Sequence, residues 1–183
     1  MPARGRTLVA MFRRRRKSTD APTGPAQTFA GLREQVFGAD AAGGAPVPTA
    51  EHPNVWGAVM EMTYPNGTAS LVALSDGTTS LYTSTGGGVI GGGAHPDVVA
   101  ATQGFLSSVE QHLSLLSPEE GTPLPGVGCV RFHALTLSGR LADEATEDDL
   151  GHDRHQLSPV FHAGHRVITA LRLIEEAGQP PAS

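Results

Sequence analysis

Between Val55 and Tyr64 the side chains alternate. Trp56, Ala58, Met60, Met62 and Tyr64 fall on one face, while Glu61 and Thr63 end the other. That period-two pattern predicts a half-buried antiparallel strand. Two further runs, Thr68 to Leu74 and Thr79 to Ser84, follow the sequences Pro65-Asn66-Gly67 and Ser75-Asp76-Gly77. Asn-Gly and Asp-Gly supply the positive φ that tight hairpin turns need, so the spacing predicts a three-stranded meander. The period then changes to that of a helix: Val98, Thr102, Phe105, Val109, Leu113 and Leu116 form one apolar stripe, and Pro96 suits the first helical position. Val127 to Leu137 reads as a fourth strand, with Ser138-Gly139 turning into a fifth. Residues 143–149 carry five acids and read as an exposed loop. A last helix opens at Ser158-Pro159, buries Val160, Gly164, Val167, Ile168, Leu171 and Ile174, and stops at Gly178 and the prolines beyond it.

Ahead of the meander, Phe29, Leu32 and Val36 share one face of a short helix from Thr28 to Phe37, which Gly38 ends. The resulting division is a disordered basic tail (1–25), an N-terminal helix (26–38), an Ala/Gly/Pro linker (39–53), an α+β domain (54–177) and a second tail (178–183). Hairpin-joined strands followed by long helices predict a two-layer sandwich. Its antiparallel sheet has four to five strands, with the helices packed on one face. In element order alone this outline resembles profilin-like and roadblock-like modules. Element order does not carry function.

Charge changes the picture at one end. Seven of the 13 Lys and Arg lie in residues 1–17, and all 18 acids come later, so the body after residue 17 carries a net −12. An acidic body repels phosphates, which argues against nucleic acid as its partner and leaves that role to the tail. Met11, just before the Arg run, is an alternative start to Met1. No apolar run reaches the 18 or so residues of a spanning helix. The single cysteine, Cys129, rules out an internal disulfide and fits the cytoplasm, and its apolar flanks predict an inert thiol.

Three groups of residues carry candidate chemistry. Gly86-Gly87-Gly88-Val89-Ile90-Gly91 has the form G-x-G-x-x-G between a strand and a helix. The expected dinucleotide context is missing. The preceding strands are hairpin-linked, and no acid stands about 20 residues on at a strand end. No Lys follows to make a Walker loop. Ser84, Thr85, Gly86, Gly87, Gly88, Gly91 and His95 therefore form a candidate ligand or anion site, against the plainer reading that these glycines allow close backbone approach. His162 and His165 are neighbours at i and i+3 on the last helix, and with His155 or Asp153 they form a candidate metal set. Helical-wheel arithmetic turns His162 away from the buried stripe, which favours polar surface. His152 and His155 beside Asp148, Asp149 and Asp153 have the composition of a pH switch. A nucleophilic role for Ser84 or Thr85 with His95 lacks both G-x-S-x-G and an orienting acid.

These readings converge on a non-catalytic protein-interaction or scaffold module in the cytoplasm, with an unknown protein partner, a weak homodimer and no cofactor. The runner-up is a small-ligand or anion-binding domain at residues 86–93 and the helix after them, or a histidine metal site. A protein partner wants an open sheet edge or flat patch, and a ligand wants a concave pocket.

Overall fold

The structure is a computed structural model that describes residues 24–39 and 45–178. Helix α1 (Pro25–Phe37) comes first, then strands β1 (Val55–Tyr64), β2 (Gly67–Leu74), β3 (Thr79–Thr83) and β4 (Gly88–Ile90). A 3-10 turn at Gly92–Ala94 leads into α2 (Pro96–Gln111), and another at Leu113–Leu115 leads into β5 (Ser117–Pro118). Strands β6 (Cys129–Thr136) and β7 (Gly139–Thr146), a short helix α3 (Glu147–Gly151) and the long α4 (Ser158–Gly178) complete the chain. The predicted basic tail lies outside the described residues except at its end, where Pro25 already opens α1 and Gly24 occupies the cap position. The proposed second tail, apart from Gly178, lies outside them as well.

All the strands join one antiparallel sheet of seven, in the order β4-β3-β2-β1-β6-β7-β5. The α+β class is as expected, but four to five strands is too few. The two extra strands, β4 and β5, are three and two residues long and sit at the two edges. Runs that short leave no periodicity to read. The acidic stretch is also more ordered than a loop. Glu144 lies across from Arg131 in the β6–β7 ladder and pairs with it. Thr146 caps α3 by accepting the Asp149 N–H, and Glu147, Asp148 and Asp149 occupy the first turn, where the helix dipole favours carboxylates.

The layers also differ from the expected two. On one face of the sheet α2 and α4 bury Met60, Met62, Leu71, Val98, Phe105, Phe132, Val167 and Leu171 in the main core. Gly164 lets α4 approach closely: a Cβ there would lie 2.7 Å from the Met60 sulfur. On the opposite face α1 lays Phe29 and Val36 over Trp56, Val59, Val72, Leu74, Tyr82 and Leu135. The helices are therefore not all on one face, and the centre of the sheet is covered on both sides. A register shift between Val55 and Gly57 explains a further error. The extra residue of this bulge sends Trp56 to the α1 face, away from Ala58, Met60 and Met62.

Candidate functional site

The glycine segment builds a groove at the sheet edge. Strand β4 extends the sheet beyond β3, and Tyr82 on β3 with Gly88 and Ile90 on β4 lines a groove whose other side is Pro25, Phe29 and Leu32 of α1. The space between them is about 340 Å³. Glycine is required here for more than one reason. Gly88 has φ +135°, and a Cβ on it would overlap the Leu81 carbonyl and lie 2.7 Å from Tyr82 Cα. A Cβ on Gly93 would overlap the Gly77 carbonyl. Gly87, at φ +89°, has open space beside it, and that space is the end of the groove.

The predicted ligand set divides across this geometry. Gly86, Gly87 and Gly88 line the groove. Ser84 is part of the β-turn: its hydroxyl accepts the Thr68 N–H at 2.9 Å. Thr85 lies 3.2 Å from the Thr83 hydroxyl, which itself donates to the Gly86 carbonyl at 2.7 Å. Gly91 is left-handed at φ 90° and caps the 3-10 turn. His95 is exposed at the start of α2 and makes no side-chain cap bond. It does not line the groove.

Sequence reasoning missed the polar layer beneath α1. Glu61, which alternation assigned to the outer face, is fully buried there. Arg33 grips it with two hydrogen bonds of 2.7 Å, Nε to Oε1 and Nη2 to Oε2, and Ser70 donates to Oε1 at 2.5 Å. Burial alone pushes this carboxyl up. The hydrogen bonds and charge of Arg33, the nearby His133 ring and the hydrogen bond from Ser70 outweigh burial and hold it at about 2. The buried His133 stands between two carboxylates: its Nδ1 is 2.9 Å from Glu119, and its Nε2 is 3.4 Å from Glu61 without hydrogen-bond alignment. Glu119 also accepts from Arg131 at 2.5 Å. Phe37 covers this cluster, 4.8 Å from the His133 ring and 5.2 Å from the Arg33 and Arg140 guanidiniums. Arg33 sits four residues from both Phe29 and Phe37, and that interruption of the apolar stripe was the readable signal. The arrangement clamps α1 to the sheet and is closed to solvent at Glu61 and His133.

The histidines do not converge. Among the described residues no group of three His, Cys, Asp or Glu side chains is placed to hold a metal ion. His155 Nδ1 accepts the Leu157 N–H at 3.2 Å. His165 packs 4.3 Å from the Phe161 ring with its Nε2 buried and unpartnered, and burial pushes its imidazole below the usual range. His162 Nε2 is 2.9 Å from Asp153 Oδ1. Both belong to a second groove, between α2 and α4, of about 470 Å³. His152 pairs with Asp148 instead. Cys129 is half-buried, and burial followed by the nearby Glu144 pushes its thiol up, against thiolate chemistry. Among the described residues no helix is long and apolar enough to cross a membrane.

Comparison with protein-family models, curated proteins and solved structures finds no match to this chain.

Proposed function

We propose that this chain is a non-catalytic protein-interaction module, working in the cytoplasm, that takes an extended segment of a partner protein along β4. The supporting observation is that β4 is an edge strand beside the apolar groove. Thr83 N–H donates to the Gly87 carbonyl, so the alternation of an antiparallel ladder turns Val89 toward β3 and leaves Gly88 and Ile90 directing their N–H and C=O groups outward. Ile90 is 59% exposed. A partner strand gains main-chain hydrogen bonds from such an edge and specificity from the groove next to it. The opposite edge suits this poorly, because β5 has only two residues and Pro118 lacks a donor.

The test is selection of displayed nine-residue peptides on the full chain, followed by binding to an Ile90→Pro variant. Proline removes the outward N–H without touching the Val89 bonds to β3. Enriched peptides alternating apolar and polar residues, bound by wild type and lost by the variant, are the expected result. Failure to enrich, or equal binding to both proteins, would remove this reading. The second reading, a small ligand held by Gly86 to Gly88, rests on the volume of the groove, which is within the range of ligand pockets. Such a ligand does not use the Ile90 N–H and would bind both proteins.

A further inference from the structure

The groove between α2 and α4 differs in chemistry from the one beside β4. Its walls are Ser107, Ser108 and Gln111 from one helix and His162 and Arg166 from the other, with Gly104 between them. Every one of those five side chains can donate a hydrogen bond, and only two of the donor groups, imidazole and guanidinium, can carry charge. The floor is open because Gly104 has no side chain: a Cβ there would meet nothing within 4 Å. His162 is oriented by Asp153, which also lines the groove, through the 2.9 Å contact at Nε2. Asp153 reaches it from a left-handed backbone, φ 55°, unlike any other non-glycine residue among those described. That conformation is a modest strain for Asp and is held here by the pairing.

Charge points the same way. In this acidic body Arg33, Arg131, Arg140 and Arg154 each face a carboxylate within 4 Å. Arg166 is exposed and, like Arg172, has no such partner among the described residues. Asp153, the carboxylate lining this groove, is taken up by His162, so the Arg166 guanidinium is left uncompensated beside two serine hydroxyls and an amide. Planar guanidinium with flanking hydroxyl donors is the usual way a protein holds the oxygens of a phosphate group.

We infer that the α2–α4 groove is a binding site for the phosphate group of a small soluble phosphate ester. Arg166 takes two of its oxygens, and Ser107, Ser108 and Gln111 donate to the remainder. His162 closes one side, and its Asp153 partner fixes the ring. The site is separate from the β4 edge and does not depend on the function proposed there.

Amide spectra of the full chain titrated with inorganic phosphate and with O-phosphoserine, at constant ionic strength against chloride, test this. Shifts confined to residues 104–111 and 159–166, saturating at low millimolar ligand or below, are expected. Arg166→Ala should weaken binding at least tenfold. Gly104→Leu, which keeps every charge and adds a good helix former, should block it by filling the floor. No localised shift up to 20-fold molar excess over a 1 mM sample (about 20 mM, against the roughly millimolar scale of weak sites) would overturn the assignment. Equal shifts in both variants would do the same, as would shifts centred on residues 86–97.

Discussion

Glu61 is a carboxylate in the middle of a sheet covered on both faces, and its charge survives there because Arg33 and Ser70 hold both oxygens. Its carboxyl is depressed from 4.5 to about 2, so the folded form binds its proton less readily than the unfolded chain. The stabilisation is therefore complete above about pH 4.5 and is lost as the pH falls toward 2. A shift of that size corresponds to about 3 kcal/mol. Glu61→Gln should lower unfolding free energy by about 3 kcal/mol at pH 7, because it leaves Arg33 with a neutral partner. It should also flatten the decline between pH 4.5 and 2. Urea melts of both proteins across that range measure the two effects together, and parallel pH profiles would contradict the linkage. Gly88→Ala belongs to the same scale. A Cβ has no room against the Leu81 carbonyl, and φ +135° is foreign to alanine, so a loss of about 1–3 kcal/mol is expected in the same melts. The need for glycine at position 88 could be read in the sequence, but the burial of Glu61 could not. Strict alternation makes an outward-facing acid on a half-buried strand the natural inference. The partner that reverses it lies on a separate helix, reached through the linker.

Among the elements, the legible ones announce themselves over many residues. The hairpins at Asn66-Gly67 and Asp76-Gly77, the stripe of α4 and that of α2 as far as Val109 are where the sequence places them, whereas Leu113 and Leu116 lie past the end of α2, in a 3-10 turn and the extended residue after it. The bulge that turns Trp56 over has no local signature, since a single inserted residue is defined by its partner strand β6. The placement of α1 was hidden for a related reason: its stripe says that it packs, and nothing in it says on which face. Its attachment is slight, with Phe29 and Val36 as its fully covered side chains and Arg33 as its polar anchor. Strand β1, by contrast, is buried without interruption from Val55 to Met62. Native-state hydrogen exchange should therefore show α1 opening well before β1, with protection lower by at least about 2 kcal/mol. In Glu61→Gln the α1 amides should lose further protection ahead of the strands. Exchange of α1 and β1 in a single step would mean that the helix is integral to the global unit.

At the scale of the whole molecule, an acidic body with short sheet edges governs self-association. Two copies meeting along β4 share three residues each, and the net −12 of the chain beyond residue 17 opposes their approach. Salt screens that repulsion over about 10 Å at 0.1 M. A weak dimer favoured by added salt is the expected outcome, read by sedimentation at low and high ionic strength. A monomer at both, at high protein concentration, would contradict it. Such a dimer would compete with peptide for the same edge, so Ile90→Pro should diminish both.

The strand order also sets how the chain finds its fold. From β1, one wing, β2-β3-β4, is laid down by consecutive hairpins, each closing a few residues. The other wing begins with β6, and Met62 cannot meet Val130 until α2 and everything between have been spanned. The first wing can assemble in microseconds, whereas the β1–β6 seam needs closure of a long loop before any ladder bond rewards it. That seam is the kinetic bottleneck. Truncating Leu81 in the early wing, formed before that barrier, should chiefly slow refolding, while truncating Phe132, buried at the centre of the seam opposite Met60, should divide its effect between slower refolding and faster unfolding.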